Sequence, residues 1–197
     1  MNAWWLLLPL VLLVGWLIAV FNRLVALRNR LQNAFSQIDV QLLRRHDLIP
    51  NLVEAVKGYL AHERNVLESV ARLRGEAREA ASAAQGKPAS ADTVRQVSEA
   101  EDRLNRGLTQ LYAVSENYPE LKGDTTVRQL MEELASAENR IAFARQAYND
   151  AVMRMNTAVQ SFPANLVAGP FGFQAGAFFE AEPPAREAVK VSLGAGG

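Results

Sequence analysis

Residues 127–162, VRQLMEELASAENRIAFARQAYNDAVMRMNTAVQSF, carry the cleanest pattern in the chain. Val127, Leu130, Leu134, Ala137, Ile141, Ala144, Tyr148, Ala151, Met155, Ala158 and Phe162 alternate steps of three and four residues. That spacing predicts one amphipathic helix with a continuous apolar seam. From Leu134 onward a large residue takes one seam position and Ala takes the other. Small residues along one position let a neighbouring helix approach closely, in left-handed antiparallel packing. Such a seam is read as core.

Three further stripes lie upstream. Leu24, Leu27, Leu31, Ala34, Ile38 and Leu42 form the first, and Leu52, Val56, Tyr59, Glu63, Val66, Val70 and Leu73 the second. Val97, Leu104, Leu108 and Leu111 form the third, which stops at Tyr118-Pro119. Asp47 followed by Pro50 predicts a helix start, so the first helix is expected to break near His46. A kinked continuous helix is the alternative, because Pro also sits at bends. Gln85-Gly86-Lys87-Pro88 is a loop, and Asp124 or Thr125 can cap the last helix. Four stripes with short connections predict an all-α chain built as an antiparallel up-and-down four-helix bundle. In that topology the fourth helix returns to where the first began.

Ahead of the bundle, Ala3 to Phe21 runs nineteen residues without a charge. At about 1.5 Å per residue it spans roughly 28 Å, close to a bilayer's hydrocarbon core. Arg23, Arg28 and Arg30 follow it and no Lys or Arg precedes it, so the amino terminus is expected outside and the bundle in the cytoplasm. Trp4 and Trp5 suit an outer aromatic belt; Phe21 closes the run and Arg23 can snorkel at the inner face. A cleaved signal is disfavoured: it would want a basic start, a shorter apolar core and a better cleavage site. The expected organisation is an anchor over 1–21, a bundle over 22–162, a Phe/Gly/Pro segment over 163–182 returning toward the membrane, and a disordered tail over 183–197.

Charge is balanced, with 21 basic and 21 acidic residues, so no global field attracts nucleic acid. Residues 22–84 hold ten basic and seven acidic side chains, a local excess beside the anchor that suits anionic headgroups. The chain has no Cys, which removes disulfide and thiolate chemistry. Only two His are present, His46 and His62, and neither sits in a metal-ligand spacing. A metal or enzymatic site around His46, Asp47 and Asn51 is kept as a remote alternative. No cofactor and no small-molecule substrate are expected.

Two features invite a functional reading. Glu138, Arg145, Asn149 and Asn156 line one edge of the last helix, and are read as a buried network reaching Asp39, Gln41 or Asn51, or else as a docking surface. Five of the eight Phe fall between Phe162 and Phe179. Phe171, Phe173, Phe178 and Phe179 are read either as a loop folded under the bundle or as an interfacial contact with lipid or a partner.

Several uncommon motifs occur in order: Asn33-Ala34-Phe35-Ser36-Gln37-Ile38-Asp39-Val40-Gln41-Leu42, Arg44-Arg45-His46-Asp47-Leu48-Ile49-Pro50-Asn51-Leu52-Val53, Glu138-Asn139-Arg140-Ile141-Ala142-Phe143-Ala144-Arg145 and Ser161-Phe162-Pro163-Ala164-Asn165. In these the chain resembles the LemA family over about residues 4–182. The resemblance implies a bacterial inner-membrane protein with one N-terminal span and a cytoplasmic helical bundle, and it carries no catalytic residues. A non-enzymatic membrane scaffold is the leading expectation, with membrane lipid and a protein partner as contacts. Homo-oligomeric membrane organisation, through self-association, is the rival.

Overall fold

The computed structural model describes residues 4–85 and 90–179, and among them every regular element is a helix. The elements are α1 (Trp4–Val56), α2 (Arg64–Ala84), α3 (Ala91–Ser115), the single turn α4 (Pro119–Gly123), α5 (Thr125–Gln160) and the short α6 (Asn165–Ala168). The expected tail over 183–197 and the side chains of Trp4 and Trp5 lie outside the described residues.

The expected break near His46 does not occur. The apolar run from Trp4, the first stripe and the first two residues of the second form one uninterrupted helix of 53 residues. Pro50 has no N–H, so the carbonyl of His46 loses its i→i−4 partner inside that helix. Arg74 Nε of α2 donates to that carbonyl at 3.0 Å. The orphaned acceptor is satisfied from outside, and the helix continues. Asp47 therefore lies mid-helix, with its carboxylate 3.6 Å from Arg78. The chain reverses after Val56 instead, through residues 57–63, splitting the second stripe between α1 and α2. The Tyr59 hydroxyl donates to Asp124 Oδ2 at 3.0 Å, and Asp124 Oδ1 caps α5 by accepting from the amides of Thr126 and Val127 at 2.8 and 3.1 Å.

The four long helices alternate in direction. α5 runs antiparallel along α1, with the Phe35 and Tyr148 rings meeting edge-on at 5.8 Å near the middle of the pair. α2 and α3 form an antiparallel hairpin that packs on the far half of that pair, bringing Leu67, Val70, Ala100, Leu104 and Leu111 against Ile49, Leu52, Val56 and Leu134. At Gly107 the hairpin closes tightly, since a Cβ there would lie 2.7 Å from Leu73 Cδ1. The hairpin stops halfway down α1: Gln85, just beyond α2, donates to Asp39 at 3.3 Å. Nearer the apolar run, α1 and α5 are covered by residues 161–179. This segment adds Val167, Ala168, Phe173 and Phe179 to a second cluster with Leu24, Leu31, Phe35, Tyr148, Val152 and Met155.

Candidate functional site

The segment over 161–179, the strap, is turns and the short α6 as far as Gly172 and then extended chain over 173–179, where the backbone polar groups need partners that a helix would supply to itself. Asn149 and Asn156 supply them. Asn149 Oδ1 accepts from the Phe179 amide at 2.8 Å while its Nδ2 donates to the Phe179 carbonyl at 3.1 Å. Asn156 holds Gly176 in the same two-point manner, at 2.8 and 3.0 Å. The register follows from geometry. Seven helical residues rise about 10.5 Å, and three extended residues span about 10 Å. Tyr148 adds a third tie, its hydroxyl donating to the Ala177 carbonyl at 3.0 Å, with burial pushing the phenol up to about 12. Gly176 lies so close to the helices that a Cβ there would meet Leu31 Cδ2 at 3.2 Å.

The four candidate phenylalanines divide. Phe173 and Phe179 are buried, at 5% and 2% exposure, and belong to the core rather than to a surface. Arg145 lies over the Phe179 ring at 4.7 Å and Arg28 over the Phe173 ring at 5.4 Å. Phe171 and Phe178 stay 62% and 48% exposed. Phe171 nevertheless meets the Phe21 ring at 5.1 Å, fixing the strap against the last turn of the apolar run. Phe162 and Leu166, at 79% and 63% exposure, extend the outward-facing set. Phe162 shares a cleft with Trp16 and Val20 of the apolar run, so this corner of the strap lies level with apolar residues of α1. Arg23 lines the same cleft.

The polar edge of α5 serves three separate contacts. Asn149 and Asn156 hold the strap, Arg145 faces Asp102 of α3 at 3.8 Å, and Glu138 joins an ionic centre further out. Asp39 accepts from Gln85, while Asn51 is exposed on α1, and among the described residues neither is hydrogen-bonded to the α5 row. The ionic centre was hidden in the sequence. Arg45, His46 and Glu101 are all buried to 1% exposure or less. Arg45 pairs with both Glu101 and Glu138, and His46 Nε2 lies 2.9 Å from Glu101 Oε1. Burial pushes the Glu101 carboxyl up, but its hydrogen bond with His46 and the charge of Arg45 outweigh this and hold it below the usual carboxylate range. A signal was present: Leu42, Arg45, Ile49 and Leu52, like Val97, Glu101, Leu104 and Leu108, keep the three-four stepping. Arg45 and Glu101 each stand at a seam position on facing helices.

Beside this centre α3 and α5 stand apart, leaving a cleft of about 760 Å³ with Leu108, Tyr112, Met131 and Leu134 among its walls. No group of three His, Asp or Glu among the described residues is arranged to hold a metal ion. α1 is long and apolar enough in its first part to cross a membrane, and Leu7, Leu8, Val11, Leu12 and Ile18 there are exposed.

The LemA family model matches residues 34–193, a span that begins past the apolar run and takes in the bundle and the strap. Over 191 residues the chain is 26% identical to Magnetosome protein MamQ 2 and to Magnetosome protein MamQ 1 of Paramagnetospirillum magneticum, covering 89% of this chain and 70% of each relative. It is 25% identical to Magnetosome protein MamQ of Magnetospirillum gryphiswaldense, with the same coverage.

Proposed function

The chain belongs to the LemA family, and on that premise we propose that it is a membrane-anchored, non-enzymatic scaffold whose bundle stands on the cytoplasmic face of a bacterial inner membrane. One observation carries this reading. The strap folds back onto the end of the apolar run and leaves Phe162, Leu166 and Phe171 exposed beside it. Exposed aromatics at that level suit the headgroup boundary, where rings are favoured. α1 passes unbroken from the apolar run into the bundle core, so the span is covalently and helically continuous with the bundle. The charges at Arg23, Arg28 and Arg30 support the orientation with the amino terminus outside. Partner protein is then held at a fixed height over the membrane by the far half of the bundle.

The test is removal of residues 1–21. The shortened chain is expected to fold, to leave the membrane fraction and to fail to restore the function of the full chain in cells. Full restoration by the anchorless chain would overturn the scaffold reading. Self-association is the second reading, favoured by Phe143, which stands 73% exposed on α5. A defined homo-oligomer of the full chain in mild detergent, lost on Phe143→Ser, would select it over the adaptor.

A further inference from the structure

The groove between α1 and the C-terminal end of α5, at the level where the apolar run ends, encloses about 650 Å³. Its composition changes along its length. Trp16 and Val20 of the run, with Phe162 and Pro163 of the strap, line its apolar portion. Arg23, Arg30 and Arg154 line it toward the bundle. These three guanidinium groups make no ion pair among the described residues, although the chain as a whole has as many acidic as basic side chains. Asp150, which lines the adjoining hollow with Arg30 and Arg154, is paired to neither. Arg28 is turned elsewhere, over the Phe173 ring. Arg154 comes from α5, so the cluster is more than the usual basic edge of a span: two elements converge on one groove.

We propose that this groove is a binding site for one anionic phospholipid of the cytoplasmic leaflet. Its acyl region would lie against Trp16, Val20 and Phe162, and its phosphate among Arg23, Arg30 and Arg154. The ligand class follows from the groove. Guanidinium forks match phosphate oxygens bidentately. The apolar stretch continues from them toward the bilayer, which only an amphiphile can follow. A free phosphate would leave the Trp16 end empty, and a peptide would have to enter the hydrocarbon boundary. The site rests on the reading of α1 as a membrane span.

The experiment uses the full chain in mild detergent, with bound lipid counted by native mass spectrometry against added phosphatidylglycerol or phosphatidylcholine. The wild type is expected to retain one phosphatidylglycerol in preference to phosphatidylcholine. Arg154→Gln is expected to weaken that binding about tenfold, the size of one charge-assisted contact. Lys57→Gln, an exposed substitution just past the opposite end of α1, should leave it unchanged. Equal retention of the two lipids, undiminished binding by Arg154→Gln, or displacement by millimolar glycerol phosphate would each overturn the site. Carbonate extraction of native membranes separates the two readings. If the wild type resists extraction while lipid selectivity is absent, the site fails and the anchor stands; if it is extracted, both fail. Matching thermal melts of wild type and Arg154→Gln exclude unfolding as the cause.

Discussion

The same helix pair, α1 and α5, is covered in two different ways at its two ends. Far from the apolar run the cover is the α2/α3 hairpin, whose helices satisfy their own backbones and bring apolar stripes of their own. Next to the run the cover is the strap, whose last stretch, residues 173–179, is extended chain that finds backbone partners in the Asn149 and Asn156 carboxamides of α5. One end therefore places charge in its interior, and the other places backbone there. Each end is vulnerable at a different point. The far end depends on keeping Arg45 and Glu101 together, because a buried charge without its partner is severely penalised. The near end depends on two asparagines, each of whose short carboxamides presents a donor and an acceptor side by side to one backbone N–H and one C=O.

The largest effect should come from breaking the charged end. Arg45→Ala leaves Glu101 buried with its main counter-charge removed, and is expected to cost about 3–5 kcal/mol in denaturant unfolding. The double replacement Arg45→Met with Glu101→Leu should recover most of that loss, because it removes both charges together. If Arg45→Ala costs no more than an exposed substitution, the ionic centre does not stabilise the far end.

A smaller effect is expected at the strap. Asn149→Ala and Asn156→Ala each leave a backbone N–H and C=O without partners, for about 1–3 kcal/mol apiece. Hydrogen exchange should locate the loss: the amides of Phe179 and Gly176 should exchange faster while those of α2 and α3 keep their protection. Uniform loss of protection throughout the chain would mean that the two ends are not separable. Asn156→Asp should not rescue the contact, since a carboxylate cannot donate to the Gly176 carbonyl.

The smallest effect sharpens the account of the far end. Arg74→Met strands the His46 carbonyl and is expected to cost about 1 kcal/mol. In a Pro50→Ala background the helix supplies its own N–H to that carbonyl, so the same substitution should cost much less. A double-mutant cycle reads the coupling directly. Strict additivity would show that Arg74 does not compensate for the proline.

Much of this architecture was legible in the sequence, and the failures share a cause. The nineteen uncharged residues, three of the four stripes and the Asp124 cap depend on spacing within one segment, which a linear reading can measure; the second stripe is the exception, split by the turn after Val56. The helix across Pro50 escapes a linear reading because its compensation comes from Arg74, 28 residues from the His46 carbonyl. The α5 asparagines were seen as a row, but their partners are backbone atoms 20 and 30 residues downstream, in a stretch with no period. Arg45 and Glu101 were passed over because charged side chains at seam positions look like interruptions until the opposite helix is seen to carry the matching one.

By itself, then, the sequence determined helix content, the apolar run, its positive flank and the direction of each helix, because hydrophobic period and charge bias act locally. Only the tertiary structure decided which polar groups are buried together, which phenylalanines face inward, and that the strap lies against the end of the run. Those outcomes depend on pairing between segments far apart in the chain, where a donor is placed by one element and its acceptor by another.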